Sequence, residues 1–173
     1  MIECLVGSEM CIRDRYGYAA ALGGRVEGGA FSGPGDAADE EMEGYRRAIE
    51  LDPTLANAHR RLGTLLKDHK KDIDGAEEQY RLAIKLDPNN ASAHINLGFL
   101  LEDKKDIAGA EEQYRLAIKL DPNNTSAHIN LGYLLEDKKD IAGAEEQYRL
   151  AIKADPNNAC LLYTSDAADD AHG

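Results

Sequence analysis

The chain has 173 residues, with 20 Lys and Arg against 32 Asp and Glu and a formal charge of -12. That length suits one or two small domains, and the acidic excess excludes the basic face that nucleic-acid binding needs. Trp is absent and only two Phe occur, so any core is mostly aliphatic. No apolar run approaches the roughly 18 residues of a membrane span.

Residues 1–15 and 159–173 follow neither helical nor strand periodicity. Back-translation of Met10–Arg15 and of Cys160–Ser165 gives strings that are reverse complements over most of their length. Both strings resemble the mosaic end of transposon-based sequencing-library adapters. The two ends are therefore expected to be adapter read-through and are set aside. Cys4, Cys11 and Cys160 all fall within them, so the cysteines say nothing about compartment. Cytoplasm is the base-rate expectation. Residues 16–35 hold seven glycines and Pro34, and are expected to form a poorly ordered lead-in.

An internal repeat follows. Residues 91–124 and 125–158 differ only at Ala91/Thr125, Phe99/Tyr133 and Leu120/Ala154. Residues 56–90 are a third copy with one extra residue near Asp68–Lys71. Residues 36–55 match only the second half of a unit. Their acidic run, Asp36 to Glu43, suits a helix N-terminus, where the dipole favours negative charge.

Each unit reads as two helices. In the second unit Asn90 is placed to cap a helix from Ala91 to about Asp103. Lys104-Lys105-Asp106 forms the turn, and Asp106 caps a second helix running to about Leu120. Ala110, Tyr114, Ala117 and Ile118 share one face of it. Pro122 stops it, because proline lacks the N–H and clashes with the preceding turn. Glu77–Arg81, Glu111–Arg115 and Glu145–Arg149 stand at i,i+4, a spacing that suits ion pairs.

This pattern resembles the tetratricopeptide repeat. The second unit supplies His94, Leu97, Gly98, Leu101, Ala110, Tyr114, Ala117 and Pro122 at the signature positions. The third supplies His128, Leu131, Gly132, Leu135, Ala144, Tyr148, Ala151 and Pro156. The first supplies His59, Leu62, Gly63, Leu66, Ala76, Tyr80, Ala83 and Pro88. His stands where the family prefers Trp, and Leu where it prefers Tyr. The resemblance implies an all-α solenoid of antiparallel helix pairs, wound as a right-handed superhelix with a concave groove. Small residues such as Gly98 and Ala110 let paired helices approach closely.

The resemblance also implies that the first helix of each unit lines the groove. The implied peptide-binding residues are Arg60, Arg61 and Thr64 in the first unit. In the second they are Ser92, Ile95, Asn96 and Phe99, and in the third Ser126, Ile129, Asn130 and Tyr133. The groove is then basic at the first unit. At the others it is apolar and amide-bearing, with an acidic rim of Glu102, Asp103, Glu136 and Asp137. Asn96 and Asn130 offer both donor and acceptor to a peptide backbone. They resemble the asparagine ladder of O-linked N-acetylglucosamine transferases, although Arg61 breaks the series. The carboxylate clamp of chaperone-binding members is not matched, since Thr64, Ser126 and Asn130 stand at its positions.

The expected function is a non-catalytic scaffold that binds a peptide or partner segment. Alternatives are the substrate-docking arm of a larger enzyme, such as an O-linked N-acetylglucosamine transferase, or a structural spacer in a longer array. No nucleophile–base constellation, phosphate loop or metal cluster is found, and no cofactor, nucleic acid or membrane partner is expected. The repeated histidines lie in separate layers, too far apart to share an ion bound at about 2 Å, and read as packing residues. The sequons at Asn90, Asn123 and Asn124 read as helix caps. The last helix has no capping helix after it and is expected to expose an apolar face.

Overall fold

A computed structural model describes residues 34–156. The adapter-like ends, residues 1–15 and 159–173, and nearly all of the glycine-rich lead-in lie outside the described residues. Seven helices and no strand occur among those described. They are α1 (Pro34–Leu51), α2 (Ala56–Leu65), α3 (Ile73–Leu86), α4 (Ala91–Asp103), α5 (Ile107–Leu120), α6 (Thr125–Asp137) and α7 (Ile141–Ala154). The chain forms two compact units, a first up to Leu86 and a second from Asp87 that holds both of the last two repeats. In the first, α2 packs on α1 and α3; in the second, α4 packs on α5, α5 on α6 and α6 on α7.

The helix ends are set by local chemistry. The Asn90 side chain accepts the Ala93 N–H at 3.1 Å, and Asn124 accepts that of Ala127 at 3.1 Å. Each satisfies a donor that the helix itself leaves unpaired. The turn inside each pair is more economical still. Lys105 adopts a left-handed conformation with φ 66°. The Asp106 N–H then donates to the Leu101 carbonyl at 2.8 Å, which closes α4 in a Schellman arrangement. The Asp106 carboxylate accepts the Gly109 N–H at 3.0 Å and opens α5. One aspartate thus ends one helix and starts the next. Lys139 and Asp140 repeat the device between α6 and α7.

The first unit must fit one more residue into the same connection. Leu66–Lys70 continues α2 as a π-helical stretch, after which Lys71 turns left-handed at φ 56°. A π-turn places one additional residue per turn, so the insertion is absorbed inside the helix rather than looped out. Asp72 still caps α3, accepting the Gly75 N–H at 2.9 Å.

Packing follows from the repeated small residues. Ala58, Ala76, Ala83, Ala93, Ala110, Ala117 and Ala127 are fully buried. Gly98 faces the ring of Tyr114, which is also fully buried. A Cβ at Gly98 would stand 2.7 Å from Tyr114 Cε1. Gly63 faces Tyr80 and Gly132 faces Tyr148 in the same manner. Each buried histidine bridges its helix pair to the preceding loop. His94 Nε2 donates to the Pro88 carbonyl at 3.3 Å, and Nδ1 lies 2.8 Å from the Gln113 amide. His59 and His128 make the equivalent contacts with Gln79 and Pro53, and with Gln147 and Pro122. These partners hold the rings as packing residues.

Two predictions follow from these contacts. Gly98→Ala gains about 1 kcal/mol of helix propensity but pushes a methyl into an immobile ring, an overpacking cost of about 1–3 kcal/mol. Urea denaturation is expected to show a net loss for both Gly98→Ala and Gly132→Ala, since a Cβ at Gly132 would stand 2.5 Å from Tyr148 Cε1. Variants as stable as the parent would contradict the packing account. At the turn, a β-branched residue resists the left-handed conformation. Lys139→Val is expected to lower stability by about 1 kcal/mol, with Lys139→Gly at or above the parent. A Lys139→Val variant as stable as Lys139→Gly would show that the turn carries no strain.

Candidate functional site

The second unit contains two nearly identical first helices, α4 and α6, side by side. Ala93, His94, Leu97, Gly98 and Leu101 of α4 are buried, as are the matching residues of α6. The remaining stripe runs at helical spacing through Ser92, Ile95, Asn96, Phe99 and Asp103. Ser92 and Phe99 are exposed, and Ile95 and Asn96 half-buried. On α6, Ser126 and Tyr133 are exposed, and Ile129 and Asn130 half-buried. Phe99 and Tyr133 each leave 43% of their surface in solvent. The eight implied site residues of the second unit thus lie along corresponding stripes of two neighbouring helices.

Three features stiffen this face. The Tyr133 ring meets Tyr148 edge-to-face, with centroids 5.7 Å apart and an interplanar angle of 69°. The Tyr148 hydroxyl donates to Glu136 Oε2 at 3.0 Å. The Tyr114 hydroxyl donates to Glu102 Oε2 at 3.0 Å. The tyrosine wedged against each glycine therefore reaches past the helix pair to the acidic edge. Of the rim expected from sequence, Glu102 and Glu136 are in this way tied to the core, while Asp103 and Asp137 are exposed.

In the first unit the implied site residues are engaged differently. Thr64 Oγ1 donates to the Arg60 carbonyl at 3.2 Å and accepts from the Tyr80 hydroxyl at 3.3 Å. Arg60 Nε is 3.5 Å from Asn57 Oδ1. Arg61 is exposed. Thr64 thus takes the place of Glu102 and Glu136 as the tyrosine's partner. The repeat alignment gives no signal for this exchange, since Thr64 corresponds to Phe99 and the position of Glu102 is taken by Lys67.

The tyrosine hydroxyls are strongly perturbed. Burial pushes Tyr114 far above its ordinary value of 10.0, and the Glu102 charge and hydrogen bond add to it. Burial also raises Tyr148, helped by its hydrogen bond to Glu136 and that carboxylate's charge. Burial raises Tyr80 as well, opposed by the Thr64 hydrogen bond. In all three the folded chain retains a proton that the unfolded chain releases. Their contribution to stability is present below pH 10.0 and is lost as pH rises above it. Alkaline titration followed at the tyrosine 13Cζ resonances is expected to show Tyr114 protonated until helicity is lost. A Tyr114 phenolate in a chain that is still helical would contradict the wedge.

The arrangement offers amides, aromatic rings and carboxylates on one face, a composition suited to holding a partner. Among the described residues there is no group of three His, Cys, Asp or Glu side chains placed to hold a metal. No helix among the described residues is long and apolar enough to cross a membrane.

Comparison with known proteins agrees with the fold. A family model described as TPR repeat matches residues 69–105, and one described as Tetratricopeptide repeat matches residues 101–159. No curated protein matches the chain. Among solved structures, one titled "Crystal structure of MamA" is similar with a TM-score of 0.63 and 21% identity, over 76% of this chain and 80% of that one. Another, "Crystal structure of MamA protein", has a TM-score of 0.59 and 23% identity, over 70% of this chain and 66% of that one. At such identities the likeness is one of fold, an all-α solenoid of helix pairs. Repeats of this type are typically non-catalytic scaffolds for protein–protein interaction. The chain belongs to the tetratricopeptide-repeat family.

Proposed function

We propose that the second unit holds an extended segment of a partner protein against the paired faces of α4 and α6, without chemistry of its own. The observation that carries this reading is the pairing of Phe99 with Tyr133 and of Asn96 with Asn130. Large aromatic rings gain little from standing in water, and two of them recur one repeat apart on the same stripe. An asparagine precedes each ring by three residues, close to one helical turn, and presents a donor and an acceptor of the kind a strand-like backbone needs. Adjacent helix axes lie about 8–10 Å apart, close to the ~10 Å spanned by three residues of extended chain. A bound segment would therefore present equivalent groups to α4 and α6 three residues apart.

The reading does not depend on Arg60, Arg61 or Thr64, which belong to the first unit. A partner identified by pull-down is expected to be lost on combining Asn96→Ala with Asn130→Ala, with unchanged helicity by circular dichroism. Two lost hydrogen-bonding side chains at about 1 kcal/mol each correspond to a weakening of roughly 30-fold. Partners that survive the double change would remove the paired face as the binding site.

A further inference from the structure

The charge on α4 and α6 has one sign. Apart from the buried histidines, the charged residues of α4 are Glu102 and Asp103, and those of α6 are Glu136 and Asp137. All four carboxylates fall in the last turn of their helix, where neither helix carries a basic residue. That end is the negative end of the helix dipole and favours cations. Two adjacent carboxylates there work against the helix. Glu102 and Glu136 have a structural use, since each accepts a tyrosine hydroxyl at 3.0 Å. Asp103 and Asp137 are exposed. Burial and the bonded glutamate raise the Tyr114 and Tyr148 hydroxyls first, and the charges of Asp103 and Asp137 add to the effect. Each helix end therefore gathers two carboxylates at one edge. Of the lysines that follow, Lys138 is bonded to Glu111 of α5, while Lys105 and Lys139 leave the helix direction in a left-handed conformation.

An aromatic ring stands one turn before each exposed aspartate. Phe99 and Asp103 are at i,i+4, as are Tyr133 and Asp137, a spacing that puts Cβ atoms about 5–6 Å apart on one helix face. Both rings are 43% exposed, and Tyr133 is braced edge-to-face by Tyr148. A ring with a carboxylate beside it suits an organic cation, because the ring face attracts the charge and the carboxylate pairs with it. Arginine fits both halves: its planar guanidinium stacks on a ring and binds a carboxylate through two N–H groups. An acidic side chain would be repelled here, and an aliphatic one would leave the carboxylates unanswered. The short connections at residues 104–106 and 121–124 turn the chain back twice, so α4 and α6 run the same way and end on one edge.

We propose that Phe99 with Asp103, and Tyr133 with Asp137, are two subsites for arginine side chains of the bound segment. The inference rests on the α4 and α6 face being where an extended segment lies, and it names that segment's chemistry: basic, with two arginines three residues apart. Three extended residues span about 10 Å, close to the separation of neighbouring helices.

The probe is a short, fluorescently labelled peptide of serine and threonine with two arginines three positions apart, titrated with the whole chain at physiological salt and followed by anisotropy. Saturable binding is expected, weaker by roughly 10-fold or more when both arginines are replaced by glutamate or by leucine. Asp103→Asn combined with Asp137→Asn should weaken it by roughly 10-fold or more without loss of helicity, and should leave thermal stability equal or higher, because two unfavourable charges leave the helix ends. Glu112→Gln with Glu146→Gln removes the same charge from exposed positions of α5 and α7, and should change binding by less than about twofold. Phe99→Leu with Tyr133→Leu keeps an apolar surface but loses the rings, and should weaken binding several-fold. No binding of the arginine peptide overturns the proposal. So does an equal loss from both carboxylate pairs, which would show attraction to an acidic chain as a whole. A leucine peptide that binds as tightly, and is lost on combining Asn96→Ala with Asn130→Ala, overturns it while leaving the paired face as the binding site. Arginine-peptide binding that falls with the aspartate pair but not with the asparagine pair upholds the two subsites and removes the asparagines as the backbone contact.

Discussion

The contact between a glycine and a tyrosine ring governs each helix pair. Gly98 gives up side-chain packing and helix propensity so that the Tyr114 ring can occupy the space a Cβ would need. The ring fills the volume, and its hydroxyl emerges at the far edge to bond Glu102. Interior packing is dense enough that one methyl is felt. A pair built this way has one separation and one register. The register in turn decides which stripe of α4 is buried and which is left to solvent. The candidate face is thus a consequence of the wedge.

The connections reinforce that register at little length. Asp106 and Asp140 each satisfy orphan groups of two helices, so the pair is joined without a loop that could wander. The lysines at φ 66° hold an unfavourable conformation because the surrounding bonds over-determine it. The histidines add a third tie, from the pair to the loop before it. Packing, turn and bridge converge on one arrangement, and a near-identical unit beside it repeats all three.

Much of this was legible in the residues. The Asn90 and Asp106 caps, the ends of α4 and α5 and the i,i+4 ion pairs depend on neighbours in sequence, so spacing alone exposes them. The π-helical stretch at Leu66–Lys70 was not legible, because one extra residue fits equally well in a loop or a helix. The bond from Lys138 to Glu111 spans 27 residues and exists only once two repeats stack. The same holds for the Tyr114–Glu102 bond, which turns part of the expected acidic rim into an anchored edge. The bond between Thr64 and Tyr80 was not legible either, because Lys67 stands in the first repeat where Glu102 stands in the second and a different residue meets the ring's hydroxyl.

The second unit therefore presents two kinds of surface with separate origins. The α4 and α6 face is what two neighbouring helix pairs leave open, while the α7 face is open only because no helix covers it among the described residues. The central claim concerns the first. Two-dimensional NMR of the side-chain amides, recorded as a bound partner segment is titrated into the whole chain, tests it most directly. The account predicts that the Asn96 and Asn130 amide resonances move together and saturate at the same ratio, with the amides of α5 and α7 little changed. Shifts confined to α5 and α7, with Asn96 and Asn130 unmoved, would contradict it.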